Sequence, residues 1–241
     1  MREASGEVVV FLDDDMRPMP DLLEAHAAAQ ERHPGCAVIG NALTAPELGP
    51  SLVYDYLDSR GVHKLPPDSP MPARYFLTNN ASVPRRAFDD AGLFDESFRS
   101  YGFEDMEIAF RLEERAGLGF RYCPEAVAHH IHEHTLQQLL AKRREAARSS
   151  LPVLLEKHPG RVADLSLTAL LPPDRTDAPG LRLRKLAFRL ASLAPLPAIA
   201  RVLARVGRPG PFAFRLLDYL IADAYARGLR DARKPAGPGP V

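Results

Sequence analysis

A chain of 241 residues with zero formal net charge, 26% charged and 46% apolar residues predicts a folded globular protein and excludes wholesale disorder. Because there is no global basic field, we expect no nucleic-acid partner. The two cysteines are far apart and have no C-x-x-C spacing, which indicates reduced thiols in a cytoplasmic setting. The sequence has no run of about 18 apolar residues, so we predict no transmembrane helix.

The first notable feature is an apolar stretch at residues 8–12, which predicts a buried strand of a parallel sheet. Three carboxylates, Asp13, Asp14 and Asp15, follow directly, where open α/β sheets bind ligands. Like charges repel unless a cation offsets them, and oxygen ligands favour Mg²⁺ or Mn²⁺. The triplet alone also fits a solvated acidic turn.

Short strands and helices are predicted to alternate between the Asp triplet and residue 158. The predicted strands are residues 38–43, 75–78, 120–123 and 127–131. The predicted helices are residues 22–32, residues 84–91, one that follows Gly102-Phe103, and residues 135–157. This alternation indicates an α/β fold.

Two further clusters hold polar side chains that can carry chemistry. Glu104 and Asp105 open a predicted helix, where they either stabilise the helix dipole or act on a substrate as a general base. Residues 129–134 hold four of the eight histidines, which suggests metal or phosphate contact. Zinc is the competing metal, but the cysteines lack the spacing to support it.

The order of these segments is more specific than any one of them. After the Asp triplet come residues 79–88 (NNASVPRRAF), 91–98 (AGLFDESF), 102–112 (GFEDMEIAFRL), and then Pro124-Glu125-Ala126 before the histidines. Over roughly residues 6–134 the chain closely resembles the family 2 glycosyltransferases. The resemblance implies a GT-A-like, Rossmann-like mixed sheet flanked by helices.

On the donor side, the resemblance implies roles for the Asp triplet as a D-x-D element. Asp13 and Asp14 would bind the nucleotide, with Asp13 on its ribose or base side, and Asp15 would hold a divalent metal, Mg²⁺ or Mn²⁺, on the diphosphate. His130 matches the family histidine that completes these contacts, and His129 and His132 are possible substitutes.

On the acceptor side, the resemblance implies that Asp105 deprotonates the acceptor hydroxyl and that Glu104 positions the acceptor. Asn80 would line the sugar or acceptor pocket. The implied reaction is transfer from a nucleotide-diphosphate sugar to a glycan or lipid-linked acceptor, as in cell-envelope polysaccharide synthesis, with inversion by direct displacement.

Two other functions compete with this one. A non-catalytic remnant or binding module of the same fold would keep the motifs without turnover. A metal-dependent phosphohydrolase would use the same Asp and His clusters, although the motif order disfavours it.

The start of the chain differs from the family pattern. Members carry a strand-helix-strand section ahead of the D-x-D strand, and residues 1–6 resemble only the end of its helix. We therefore expect an N-terminally truncated domain whose sheet lacks its first strands.

The composition changes after residue 158, and we expect three parts. Residues 1–158 form the partial GT-A domain, 159–233 a basic helical extension, and 234–241 a disordered tail. Residues 180–208 carry seven basic and no acidic residues, interleaved with leucines and split into two helices by Pro195 and Pro197. This segment is either a helical cap on the catalytic domain or an interfacial membrane contact, in which each basic residue contributes about 1 kcal/mol. The second hypothesis places the protein at the inner face of the cell membrane.

Overall fold

The computed structural model describes residues 3–60, 62, 65–165, 167–193, 195–206 and 210–233, so the predicted disordered tail lies outside the described residues. Contacts divide the chain into two compact units. The first contains the residues up to Glu96 together with Glu104–His134. The second contains Ser97–Phe103 and the residues from Thr135 onward.

The first unit is built on a mixed five-stranded sheet with the order β1-β4-β3-β5-β2. β3 and β5 are parallel, and the other neighbouring pairs are antiparallel. The strands are β1 (Val8–Leu12), β2 (Met16–Pro18), β3 (Cys36–Thr44), β4 (Asn80–Pro84) and β5 (Gly119–His130). The expected α/β class with a mixed sheet is confirmed.

Helices flank this sheet and complete the core of the first unit. They are α1 (Leu22–Arg32), α2 (Leu52–Asp58), α3 (Ala87–Ala91) and α4 (Glu104–Ala116). The amphipathic pattern of α4 buries Ile108, Phe110 and Leu112 completely. Phe76 and Phe120 are also fully buried and meet edge to face, with ring centroids 5.7 Å apart. The predicted helices at residues 22–32 and after Phe103 are therefore confirmed.

The predicted strand at residues 8–12 is confirmed as β1, but the prediction that it is buried in a parallel sheet is wrong. β1 lies at one edge of the sheet and pairs antiparallel with β4. Phe11 packs against Phe88, with ring centroids 6.1 Å apart, while Val8, Val10 and Leu12 on the other face are 36–37% exposed. A run of β-branched residues suits a half-buried edge strand as well as a central one, so local pattern alone could not distinguish them.

Two other strand predictions are also wrong. Residues 75–78 do not form a strand, because a 3-10 turn at Ala73–Tyr75 leads into an irregular segment ahead of β4. The two strands expected on either side of Pro124 are one continuous strand, β5, whose register against β3 shifts between Ile39 and Asn41. A Cβ on Gly40 would lie 2.6 Å from the Ala126 carbonyl oxygen, so only glycine fits this irregularity.

The second unit is helical, with α5 (Leu136–Lys157), α6 (Pro179–Ala191), α7 (Leu196–Val206) and α8 (Pro211–Ala232). Thr135 and Gln138 form a capping box that starts α5 one residue after its predicted beginning. α5 and α8 pack closely at Gly228, where a Cβ would lie 2.7 Å from the Ala147 side chain. The expected domain boundary at residue 158 stays a prediction. In the structure, α5 packs with the helices that follow it and belongs to the second unit.

Within the described residues, no single helix is long and apolar enough to cross a membrane. The pair formed by Pro179–Ala191 and Leu196–Ala204 reaches the required length and composition together, but the two helices are bent by 74° relative to each other.

Candidate active site

The Asp triplet forms the turn between β1 and β2, strands that lie at opposite edges of the sheet. The Met16 amide donates to the Asp13 carbonyl at 3.1 Å and closes this turn. The Asp13 amide donates to the Asn79 carbonyl at 3.4 Å, and the Ile131 amide donates to the Asp15 carbonyl at 2.9 Å. These backbone contacts hold the triplet between the segment ahead of β4 and the end of β5.

The side chain of Asp15 faces His130, with 3.2 Å between Asp15 Oδ2 and His130 Nε2. Both side chains are partly exposed. The His130 ring stacks on that of His134 at 4.9 Å between centroids, and the His132 ring lies 6.1 Å away. Of the three candidate ligands, the structure therefore places His130 against Asp15, whereas His129 pairs with Arg17 across the strands.

Asp105 lies in the first turn of α4 and is held by Thr78, whose Oγ1 donates to Asp105 Oδ1 at 2.7 Å. Burial raises the pKa of Asp105 to about 6, since the charged form loses hydration. Hydrogen bonds from Thr78 oppose this rise in pKa, and the negative charges of Glu104 and Asp13 add to it. A carboxyl with this pKa can both accept and release a proton near neutral pH.

Asp13 connects the two acidic clusters. Its pKa is raised by partial desolvation and by the charges of Asp15 and Asp14, while His130 lowers it. The charge of Asp13 in turn reaches Asp105. The charge of Asp13 thus acts, as a minor effect, on a carboxyl more than ninety positions away in sequence. Asp14 completes the turn and is exposed.

Glu104 presents a feature of its own beside Asp105. Its Oε2 is buried and has no hydrogen-bond partner among the described residues. A buried carboxylate oxygen without a partner is costly, so a ligand hydroxyl that donated to it would remove that cost. The backbone enters α4 through Gly102 and Phe103, both with positive φ (92° and 73°), which is uncommon for phenylalanine.

Asn80 is fully buried at the start of β4. Its Nδ2 donates to the Ala126 carbonyl at 2.7 Å, and its Oδ1 lies 2.9 Å from His26 Nε2. His26 Nδ1 lies 3.0 Å from Ser82 Oγ, which also accepts from Gln30. The amide of Asn80 is therefore engaged in an interior network, and its predicted contact with the sugar or acceptor stays a prediction.

The chemistry of Asp15 and His130 fits a divalent cation that is held jointly by protein and substrate. They supply a carboxylate oxygen and an imidazole nitrogen at one point on the surface. Within the described residues, no three His, Cys, Asp or Glu side chains converge to hold an ion alone. Mg²⁺ and Mn²⁺ in such sites take their remaining ligands from substrate phosphates and water.

The sequence that carries this site matches a known protein family. The family model described as Glycosyl transferase family group 2 matches residues 8–204, which is well over half of the chain. The chain belongs to this glycosyltransferase family. It is also 37% identical over 123 residues to the "Uncharacterized glycosyltransferase YfnE" of Bacillus subtilis (strain 168). That alignment covers 50% of this chain and 28% of the relative, so the chain spans under a third of the relative's length.

Two residues that hold the predicted site residues in place could not be named from the sequence. Thr78 binds Asp105 from 27 positions away, and nothing in the local sequence links the two residues. His26 orients Asn80 from α1, where it lies in a helical stretch of ordinary composition. Each contact depends on strand and helix packing, so no local signal could have revealed it.

Proposed function

We propose that this chain transfers a sugar from a nucleoside-diphosphate sugar to the hydroxyl of a glycan or lipid-linked acceptor, of the kind used in cell-envelope polysaccharides. The observation that supports the proposal is the buried carboxyl of Asp105, whose pKa of about 6 makes it a suitable base and is raised in small part by the charge of Asp13. One such site can serve a leaving diphosphate and an attacking hydroxyl together.

On the acceptor side, Asp105 takes the proton from the hydroxyl as its oxygen attacks the anomeric carbon. Thr78 keeps the carboxylate oriented, and the unpartnered Oε2 of Glu104 accepts a hydrogen bond from the acceptor. A new carbon–oxygen bond forms on one face of the sugar while the bond to the diphosphate breaks on the other. Direct displacement of this kind inverts the anomeric configuration.

On the donor side, Asp13 and Asp14 bind the nucleotide portion, and Asp15 with His130 would hold a divalent cation, Mg²⁺ or Mn²⁺. When bound, the cation stabilises the charge that develops on the departing diphosphate. Three carboxylates close together would otherwise repel an anionic donor, which is the physical reason for the cation requirement.

A donor screen tests this proposal directly. The chain is incubated with a panel of nucleoside-diphosphate sugars and Mn²⁺, with and without glycan and lipid-linked acceptors, and nucleoside-diphosphate release is measured. We expect release that depends on acceptor and metal, and a product of inverted configuration by nuclear magnetic resonance. Release of a nucleoside monophosphate and a sugar 1-phosphate without acceptor would support the phosphohydrolase, since water would then have cleaved the diphosphate bond. Binding without turnover would support the non-catalytic module.

A further inference from the structure

Helices α6 and α7 of the second unit expose an unusual number of apolar side chains. On each helix the exposed residues lie at helical spacing on one side, and Leu193 follows the end of α6. We call this set the leucine surface. Individual exposures in this set range from 41% to 68%. The members are Leu183, Leu186, Leu190, Leu193, Leu196, Ile199, Val202 and Leu203.

The orientation of α6 is opposite to that of an ordinary surface helix. Successive residues rotate by about 100°, so Lys185, Phe188 and Ser192 share the face nearly opposite the leucines. Lys185 and Ser192 are buried, and Lys185 Nζ donates to Asp177 Oδ1 at 2.7 Å. Phe188 meets Tyr219 of α8 edge to face. The face with Lys185, Phe188 and Ser192 thus packs inward, while the leucines face outward.

α7 continues the same arrangement. Its inward face carries the small residues Ala200 and Ala204, which are 5% and 4% exposed. Leu196, Ile199 and Leu203, at positions i, i+3 and i+7, lie outside. The two helices have 13 and 11 residues, whereas about 20 are needed to cross a bilayer. Their dimensions suit a position in the plane of a bilayer interface.

Charge indicates what this surface contacts. On α6, Arg182 and Arg189 lie along one side of the leucine stripe and Arg184 along the other, and all three are exposed. Residues 180–208 contain seven basic and no acidic residues. Arginines that flank an apolar stripe can extend toward phosphate head groups while the leucines enter the acyl region. A symmetric pair of copies would instead bring these arginines together with no acidic partner from the segment, which is unfavourable.

We propose that the leucine surface is an interfacial docking site for a membrane rich in anionic phospholipid. The apolar side chains insert between the lipids, and the flanking arginines bind preferentially to negatively charged head groups. Such a surface would hold the chain at the cytoplasmic leaflet, where anionic lipids are concentrated. The proposal does not depend on the sugar-transfer proposal, because vesicle binding can be measured without substrate.

The test is flotation of the full chain with vesicles of phosphatidylcholine alone, and with vesicles of phosphatidylcholine and phosphatidylglycerol in equal amounts. We expect binding to the anionic vesicles that weakens with added salt and is released at alkaline pH. The double variant Leu183→Gln, Leu190→Gln should lose at least tenfold in binding. Both side chains are about two-thirds exposed, so the fold does not need them. Leu23→Gln, a leucine of α1 with 65% exposure, is the matched control and should bind like the unmodified chain.

A second pair of variants separates charge from insertion. Arg182→Gln with Arg189→Gln should abolish the preference for anionic vesicles, while Arg115→Gln on α4 should leave it intact. The proposal is overturned if the chain ignores both kinds of vesicle, or if the leucine variant binds as well as the control. It is also overturned if the leucine variant converts a dimer to a monomer without changing lipid binding. Resistance to alkaline extraction, which is typical of a membrane-spanning segment, would overturn it as well.

Discussion

Thr78 Oγ1 lies 2.7 Å from Asp105 Oδ1, and this hydrogen bond connects the segment ahead of β4 to the first turn of α4. The neighbouring Asn79 carbonyl accepts from the Asp13 amide. Residues 78–79 therefore contact the carboxyl that we propose as the base and also the turn that we propose binds the donor.

Thr78→Val should move the acidic limb of the pH–rate profile to higher pH. The hydrogen bond from the Thr78 side chain favours the charged carboxylate, so its loss raises the pKa of Asp105 above its present value of about 6. Because the base works in its deprotonated form, activity then begins at a higher pH. Thr78→Ser keeps the donor and should retain the original profile. An unchanged acidic limb in the valine variant would contradict the role given to Thr78.

Asp105→Asn should lower kcat by about 10²- to 10⁴-fold, the range that a general base contributes. Nucleotide binding should be retained, since the donor contacts are assigned to the Asp triplet, and calorimetry with a nucleoside diphosphate measures this. Glu114→Gln, an exposed carboxylate of the same helix, is the control and should have normal turnover. Full turnover by Asp105→Asn would rule out the assignment.

Asp105 should also make the chain less stable as pH rises. Its folded pKa of about 6 lies above the usual pKa of an unfolded aspartate, so the folded state binds more protons between about pH 4 and 6. Stability is then lost as pH rises through this window, by up to about 3 kcal/mol for a shift of roughly two pKa units. Relative to the unmodified chain, Asp105→Asn should gain stability from pH 4 to pH 7.5 in denaturant titrations. A difference that is independent of pH would contradict the raised pKa.

Asp15→Ala and His130→Ala should each weaken Mn²⁺-dependent binding of a nucleoside diphosphate by about tenfold or more, and chelation of the metal should have the same effect on the unmodified chain. The physical reason is that each variant removes one of the two side chains, Asp15 or His130, that we propose bind the cation. Calorimetry with and without Mn²⁺ measures the difference. Asp21→Asn and His129→Ala are the controls. Loss of metal-dependent binding on His129→Ala, with binding retained by His130→Ala, would assign the ligand to the other histidine.

Asn80→Ala should lower the free energy of unfolding by about 2–4 kcal/mol, because it leaves the buried Ala126 carbonyl and His26 without their partner. Asn79→Ala keeps the backbone carbonyl that accepts from the Asp13 amide, so it should change stability little. Denaturant unfolding gives both values. A stable Asn80→Ala variant with a raised KM would instead favour the predicted contact with the sugar or acceptor.

Much of this protein could be predicted from local sequence. The family motifs appear in order along the chain, and the helices α1, α4 and α5 follow from apolar spacing and capping residues such as Thr135. These features can be read from the sequence because they depend on residues only a few positions apart. The Asp triplet, Glu104-Asp105 and His130 could be named for the same reason, since each belongs to a contiguous motif.

Tertiary packing determined the rest. The edge position of β1, the burial of Asn80, the bond from Thr78 to Asp105 and the outward leucines of α6 all depend on pairing between distant segments. An apolar run or an amphipathic helix shows that one face is apolar. It does not show which element covers that face, or whether the face is covered at all. Which faces become buried depends on the free energy of the whole folded chain, because burial and hydrogen bonding involve residues that are far apart in sequence.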